Sequence, residues 1–204
     1  MKTCRTILLA TLLASATTLA LAQQPVRIRG TITGLEGNML TVKARDGKDM
    51  KISLPENLTV VAAKGLTLAD IKPGDFVGPA SRVRPDGTLE AISLQVFPVN
   101  LRGVVPEGHT PWDLEPGSMM TNGNVAAPPA AVSGSGAREL MIEYKGGSQK
   151  VVVPDNVPVF TTVPADRALL VPGAYVVTSA RAGTDGVLFT QRIAVSKDGV
   201  RPAN

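Results

Sequence analysis

The sequence matches itself when it is shifted by 99 residues, and the matches fall mainly on turn-forming residues. Residues 55–58 (Pro-Glu-Asn-Leu) align with residues 154–157 (Pro-Asp-Asn-Val), and the Asp-Gly turn at 86–87 aligns with the one at 185–186. A fixed shift that holds over about forty residues indicates one unit built twice. A function specific to one copy is therefore expected where the two copies differ.

Short stretches of alternating apolar and polar residues predict half-buried strands in the first copy. Val26 and Ile28 begin the first strand, and residues 40–44 and 50–54 continue the pattern as the second and third strands. An Asp-Gly pair at residues 46–47 is a hairpin signal, since both residues tolerate a positive φ. These three segments predict an antiparallel meander.

The second copy is expected to repeat this plan. We place its first strand at residues 101–105, where Arg102-Gly103 matches Arg29-Gly30 of the first copy. Later strands are expected at residues 140–144, 150–153, 175–181 and 188–195, and in the first copy at residues 76–83 and 89–97. Five short antiparallel strands with a small helical insert are typical of an OB-type barrel.

The first 22 residues have the composition of an export signal. Lys2 and Arg5 precede an apolar stretch over residues 7–21, and residues 20–22 (Ala-Leu-Ala) fit a cleavage site. The stretch is shorter than the roughly 20 residues that a spanning helix requires, which favours cleavage over a membrane anchor. We therefore expect a periplasmic or secreted mature chain that begins at Gln23 and has no membrane span.

Removal of this segment would also take away the only cysteine, Cys4, and with it any disulfide or thiolate metal site. The net charge would fall from +4 to +2, because Lys2 and Arg5 are lost and no acidic residue is. This weak charge is scattered along the chain, which argues against nucleic acid as a partner.

The two copies differ most between their first and second strands. The first copy uses residues 33–38 there, whereas the second uses an inserted loop over residues 106–137. Loops of this length are usually functional or disordered. Residues 125–136 have the low complexity of a linker. Residues 106–124 instead hold the only histidine and the only tryptophan, so we expect residues 108–122 to form an ordered contact surface.

This inserted segment contains a candidate metal site. Histidine nitrogen and thioether sulfur suit Cu(I), and an indole face can cover a cation. The candidate ligands are His109, Met119 and Met120, with Trp112 as a cation–π partner. The alternative is that Trp112 packs on the barrel and keeps the loop ordered. Adjacent methionines on an extended chain point to opposite sides, which makes ligation by both harder.

Catalytic motifs are missing from the sequence, with no nucleophile elbow, phosphate-binding loop or histidine pair. Asp113 and Glu115 could form an acid/base pair, but a solvated loop explains these carboxylates equally well. We therefore predict that the protein is not an enzyme and has no cofactor, with Cu(I) as the alternative.

A longer pattern resembles a bacterial envelope domain family of unknown function. Its most specific parts are residues 70–77, 86–91 and 170–176, which follow the Gly-x-Ile, Leu-Thr-Val and Ile-x-Leu-Pro segments of the first copy. The resemblance implies OB-like barrels in two tandem copies and a periplasmic or secreted setting. It implies no biochemical activity.

Residues 71–77 also resemble, more thinly, small periplasmic copper/silver-binding OB-fold barrels. That family binds metal with His, Trp and two Met. The resemblance implies the same four candidates, His109, Trp112, Met119 and Met120, although here they fall in an inserted loop.

The chain is thus predicted to be all-β, with two tandem five-stranded OB-like antiparallel barrels. The first would span residues 23–99 and the second residues 100–196, followed by a flexible tail at 197–204. A β-sandwich shared by the two copies is the alternative. We expect a binding or scaffold module for an unknown envelope protein or small ligand. The alternative function is a periplasmic carrier of Cu(I) or Ag(I).

Overall fold

A computed structural model describes residues 25–132, 134 and 136–203. The strands of this part of the chain join into one hydrogen-bonded sheet, and the prediction of an all-β protein is confirmed. The predicted export signal, residues 1–22, lies outside the described residues.

The strands follow one another with short connections and three 3-10 helices, at Leu68–Asp70, Val99–Leu101 and Arg167–Leu169. In chain order they are β1 (Val26–Glu36), β2 (Met39–Ala44), β3 (Asp49–Ser53), β4 (Thr59–Leu66), β5 (Phe76–Val83), β6 (Leu89–Val96), β7 (Gly108–Pro111), β8 (Met119–Val125), β9 (Ala130–Ala131), β10 (Arg138–Tyr144), β11 (Gly147–Val153), β12 (Val159–Pro164), β13 (Tyr175–Ala182), β14 (Leu188–Phe189) and β15 (Arg192–Val195). Strands β5 and β13 are related by the shift of 99 residues seen in the sequence.

Five strands close into a barrel, which we call the first ring. The pairings run from β1 to β2, β3, β14 and β13, and β13 pairs back to β1. Alternation along β1 and β2 points Ile28, Leu40 and Val42 inward, where each is at most 2% exposed. The predicted meander of three strands therefore supplies nearly half of this core, and β4, β13 and β15 supply most of the rest.

Five other strands close a second ring of pairings. Here β5 pairs with β6, and the ring continues through β11, β10 and β8 back to β5. Its core is a separate hydrophobic cluster that includes Leu94, Leu140 and Ile142, all fully buried. Each ring thus has its own core.

Two tandem barrels, one from each half of the chain, are not confirmed. The first ring combines β1–β3 with β13 and β14, whereas the second combines β5 and β6 with strands from residue 119 onward. The strand pairing therefore crosses the predicted boundary between residues 99 and 100. A meander left alone has two open edges, and here the strands of the other half pair with those edges. The OB-like assignment stays a prediction.

Three strands in the order β15-β4-β12 join β13 of the first ring to β6 of the second. Strand β4 is antiparallel to β12, and its other neighbour, β15, is parallel to it. Val60 and Ala62 of β4 face the first core, while Val61 faces away from it into a cavity. A strand covered on both faces shows an apolar run instead of alternation, which is why the pattern revealed only a short apolar segment here.

The segment predicted as an inserted loop, residues 106–137, contains strands β7, β8 and β9. Its prediction as an ordered segment over residues 108–122 agrees with this structure, but its prediction as a connecting loop was wrong. Strand β8 closes the second ring between β5 and β10, the position that β1 occupies in the first ring.

The first strand of the second copy was predicted in the wrong place. Residues 101–105 form the end of a 3-10 helix and the turns after it. The match of Gly103 to Gly30 caused the error, because the structural counterpart of Gly30 is Gly123. A Cβ on Gly30 would collide with the Lys43 carbonyl of β2, and a Cβ on Gly123 with the Glu143 carbonyl of β10.

Candidate functional site

Strands β7 and β8 form a hairpin that projects its tip, residues 112–118, between the two rings. Ser118 orders the tip: its Oγ lies 3.0 Å from the Trp112 carbonyl oxygen and 2.8 Å from that of Glu115. The Trp112 amide donates to the Ser118 carbonyl at 2.7 Å. Ser118 is 1% exposed, so these bonds are shielded from water. The tip is therefore a fixed structure.

Acidic residues of the tip bind arginines of both rings. Asp113 Oδ1 lies 2.7 Å from Nη1 of Arg27 and 2.9 Å from Nη2 of Arg29, both on β1. Glu115 Oε1 lies 3.0 Å from Nε of Arg82 on β5. Burial alone would raise the pKa of Asp113, but the hydrogen bonds and charges of the two arginines hold it below its ordinary value. These two carboxylates thus link the rings.

Trp112 has a cation over its indole face, and that cation is Arg27. The guanidinium carbon lies 3.8 Å from the ring centroid, a distance typical of a cation–π contact. The indole Nε1 is buried and has no hydrogen-bond partner. This packing agrees with the alternative in which Trp112 orders the segment.

The proposed metal ligands lie on the same hairpin. His109 Nδ1 is 2.8 Å from the Thr121 hydroxyl, and burial lowers the pKa of His109, which favours the neutral ring. Met119 and Met120 are consecutive on β8, and Met120 is 2% exposed. In the described part of the chain, no three His, Cys, Asp or Glu side chains are close enough to hold a metal ion. The site with methionine ligands stays a prediction.

A cavity of about 610 Å³ lies between the two rings. Its floor is the outer face of the connecting strands, with Val61, Thr162 and Ala194, and the hairpin covers it with Trp112 and Met120. Pockets that bind small molecules commonly have volumes of about 300–1,000 Å³. Both halves of the chain line the cavity, so it exists because the rings exchange strands.

The two walls of the cavity differ in charge. All three arginines of the lining, Arg27, Arg181 and Arg192, come from β1, β13 and β15 on the first-ring side. The second-ring side contributes the amides Gln95 and Asn122 and several apolar side chains. The lining contains no aspartate or glutamate. The arginines of the lining therefore all lie on the first-ring side, which also contributes Phe189.

Within the described residues, three side chains of the cavity lining each have a buried polar atom without a hydrogen-bond partner. These atoms are Trp112 Nε1, Asn122 Oδ1 and Thr162 Oγ1. Buried polar atoms are nearly always paired, because an unpaired one costs about 1–3 kcal/mol. These three atoms are therefore polar groups that the packing around the cavity leaves unpaired.

The end of the chain closes part of the cavity. Pro202 is buried in its lining, and the Ala203 carbonyl accepts a hydrogen bond from Arg29 Nε at 3.1 Å. Residues 197–203, predicted as a flexible tail, lie against the first ring in this structure. The sequence offered no sign of this, because the tail is polar and contacts residues more than 170 positions away.

Sequence reasoning singled out the segment that forms the hairpin, but predicted it as a loop, and it missed the cavity. The unique Trp112 was the signal that led to the hairpin. Thr162, Arg181 and Arg192 gave no signal, because residues of these types are common on strand surfaces.

No family model, curated protein or solved structure that we compared with this chain matches it. Across the described residues, the helices are too short to cross a membrane. The resemblance to a bacterial envelope domain family stays a prediction.

Proposed function

We propose that this protein is a non-enzymatic binding module whose small ligand occupies the cavity between the two rings. The observation that carries the proposal is a ligand-sized cavity of about 610 Å³ whose lining combines apolar side chains with amides and arginines. Binding pockets typically combine an apolar lining with a few fixed polar groups.

The rigid hairpin supports the same function. Its tip is held by Asp113 and Glu115 from both sides, so Trp112 and Asn122 are positioned before any ligand arrives. A preformed site binds more tightly, because less conformational entropy is lost on binding. These ion pairs also favour binding over catalysis, since they engage both carboxylates that could have formed an acid/base pair.

We further propose that this binding takes place in the bacterial periplasm or outside the cell. The support is the export-like composition of residues 1–22. An envelope protein that delivers or receives the ligand would be the partner.

A neutral fluorescent probe tests the cavity without assuming a charged ligand. N-phenyl-1-naphthylamine is titrated into the chain beginning at Gln23, and energy transfer from the only tryptophan, Trp112, reports proximity. We expect saturable binding at one site. Ala194→Phe, which fills the cavity floor, should abolish it, whereas Ala130→Phe on exposed β9 should not.

A second variant that blocks the cavity keeps the test valid if Ala194→Phe does not fold. Ser179 is exposed and lines the cavity, so Ser179→Tyr can obstruct it without disturbing a core. Binding that persists in both blocking variants would disprove the proposed site, as would a wild-type protein that shows no saturable binding.

A further inference from the structure

We propose that the ligand is a small organic anion with an apolar body, such as an aliphatic or aromatic carboxylate, whose acidic group lies at Arg181 and Arg192. This inference rests on the proposed function, because it names the class of molecule that the same cavity takes.

The first argument is the charge of the first-ring wall. Arg27 is ion-paired with Asp113, but among the described residues neither Arg181 nor Arg192 has an ion-pair partner. Both are exposed side chains of the cavity lining, in which the described residues include no aspartate or glutamate. Like charges on neighbouring strands repel each other, and a bound anion removes that repulsion.

The two arginines lie on neighbouring strands. Arg181 is on β13 and Arg192 begins β15, and the register pairs Thr178 with Ile193. Both residues line the same cavity, on the first-ring side. Burial lowers the pKa of Arg192, an effect that a neighbouring negative charge would oppose.

Buried hydroxyls hold this corner of the cavity in place. Thr178 Oγ1 and Thr190 Oγ1 are 2.7 Å apart, and each also lies within hydrogen-bond distance of the Arg192 carbonyl oxygen. Thr178 and Thr190 are at most 4% exposed. The backbone that carries Arg192 is therefore fixed, which favours a directed contact with an acidic group.

The second argument is the apolar character of the opposite wall. Phe97 and Met120 belong to the second-ring side, and Phe160 of β12 lies beside them. Met120 and Phe160 are fully packed behind the lining, whereas Phe97 is only half-buried and offers hydrocarbon surface to a ligand. A molecule that spans both walls needs an anionic end and an apolar end.

A pair of matched probes tests the ligand class. The anion 1-anilinonaphthalene-8-sulfonate and the neutral N-phenyl-1-naphthylamine share one aromatic body and differ in the sulfonate. Because a hydrogen bond to a charged group contributes about 1.5–3 kcal/mol, we expect the anion to bind at least about tenfold more tightly. Decanoate should likewise displace the neutral probe at lower concentrations than decanol does.

Two double variants then test which positive charges cause the preference for the anion. Arg181→Gln/Arg192→Gln should remove the preference for the anion, measured as the ratio of the affinities of the two probes. The control Lys51→Gln/Arg138→Gln loses the same charge on β3 and β10, away from the cavity, and should keep the preference. Added salt should weaken binding of the anion only, a result that requires no mutation.

The outcomes separate this inference from the proposed function. The proposal of an anionic ligand would be overturned if the two probes bind with equal affinity, or if the preference for the anion survives in Arg181→Gln/Arg192→Gln. The cavity would still be a binding site in either case. If neither probe binds saturably, or if blocking the cavity changes nothing, the proposed function itself fails.

Discussion

The two rings share a plan but present different surfaces to the cavity between them. Each ring is a meander from one half of the chain closed by strands from the other, and each has its own core. The first ring exposes Arg27, Arg181 and Arg192 to the cavity, whereas the second exposes amides and apolar side chains. The common plan explains the fold, and the difference between the walls indicates the function.

A second difference between the rings is the strand that begins each meander. Strand β1 follows the start of the described chain directly, but its counterpart β8 follows β7 and the tip. The tip returns to bind Arg27 and Arg29 of the first ring through Asp113. The extra hairpin thus both joins the two rings and covers the cavity.

The largest expected effect is on the free energy of unfolding, and it tests whether the two rings unfold together. Leu40 and Leu140 are both fully buried, one in each core, so either Leu→Ala change should lower the free energy of unfolding by about 2–5 kcal/mol. Because the rings exchange strands, we expect one cooperative transition in urea for every variant. Met141→Ala, at a more exposed site on β10, is the control and should cost little. Two separate transitions, each shifted by one variant only, would show independent rings.

The next prediction tests whether Gly30 and Gly123 take corresponding positions in the two rings. A Cβ at either site would meet a carbonyl of the neighbouring strand, so each Gly→Ala change should destabilise the protein by about 1–3 kcal/mol. Gly34→Ala on β1 is the matched control, since a Cβ there meets nothing within 4 Å. Thermal unfolding measures all three. A Gly123→Ala protein as stable as the control would mean that β8 does not take the place of β1.

A smaller, pH-dependent effect tests the link between the rings. The pKa of Asp113 lies below its ordinary value of 3.8 in the folded protein, so the unfolded state binds more protons as the solution is acidified. The stabilisation is therefore present above pH 3.8 and is lost as pH falls through the folded pKa. Asp113→Asn should cost about 1 kcal/mol or less at neutral pH, because the carboxylate is half exposed.

The difference between Asp113→Asn and wild type should then shrink towards zero as the pH falls below the folded pKa of Asp113. Asp49→Asn removes a more exposed carboxylate with a longer ion pair and serves as the control for charge. A difference that does not change with pH would assign the effect to packing instead of charge.

The smallest expected effect concerns the metal alternative. Anaerobic titration with Ag(I) should leave the emission of Trp112 almost unchanged, because Arg27 already covers the indole. Stoichiometric quenching that is lost in His109→Ala and in Met120→Leu would instead establish the soft-metal site.

The sequence predicted the strands with one buried and one exposed face, because such strands alternate. Strands β1, β2, β5 and β13 were found to within a few residues for that reason. Strand β4 was underestimated because both of its faces are covered, and β8 was taken for a loop because a glycine match misplaced it. The exchange of strands between the two halves of the chain leaves no local pattern in the sequence. The edge strands of each meander can pair equally well with strands from either half.

The cavity could not be predicted for the same reason. Thr162, Arg181 and Asn122 are brought together only by pairings between strands from both halves of the chain. Their spacing in the sequence carries no periodicity. Only the hairpin was accessible to sequence reasoning, through its unique Trp112.

The central claim is that the exchange of strands creates a cavity in which an anionic ligand binds. The most direct measurement is a map of backbone amide shifts, recorded by NMR on the mature chain with and without 1-anilinonaphthalene-8-sulfonate. We predict that the largest changes occur together at Asn122, Thr162 and Ser179, which lie on three strands around the cavity. Changes confined to one ring, or located on surfaces away from these three residues, would contradict the account.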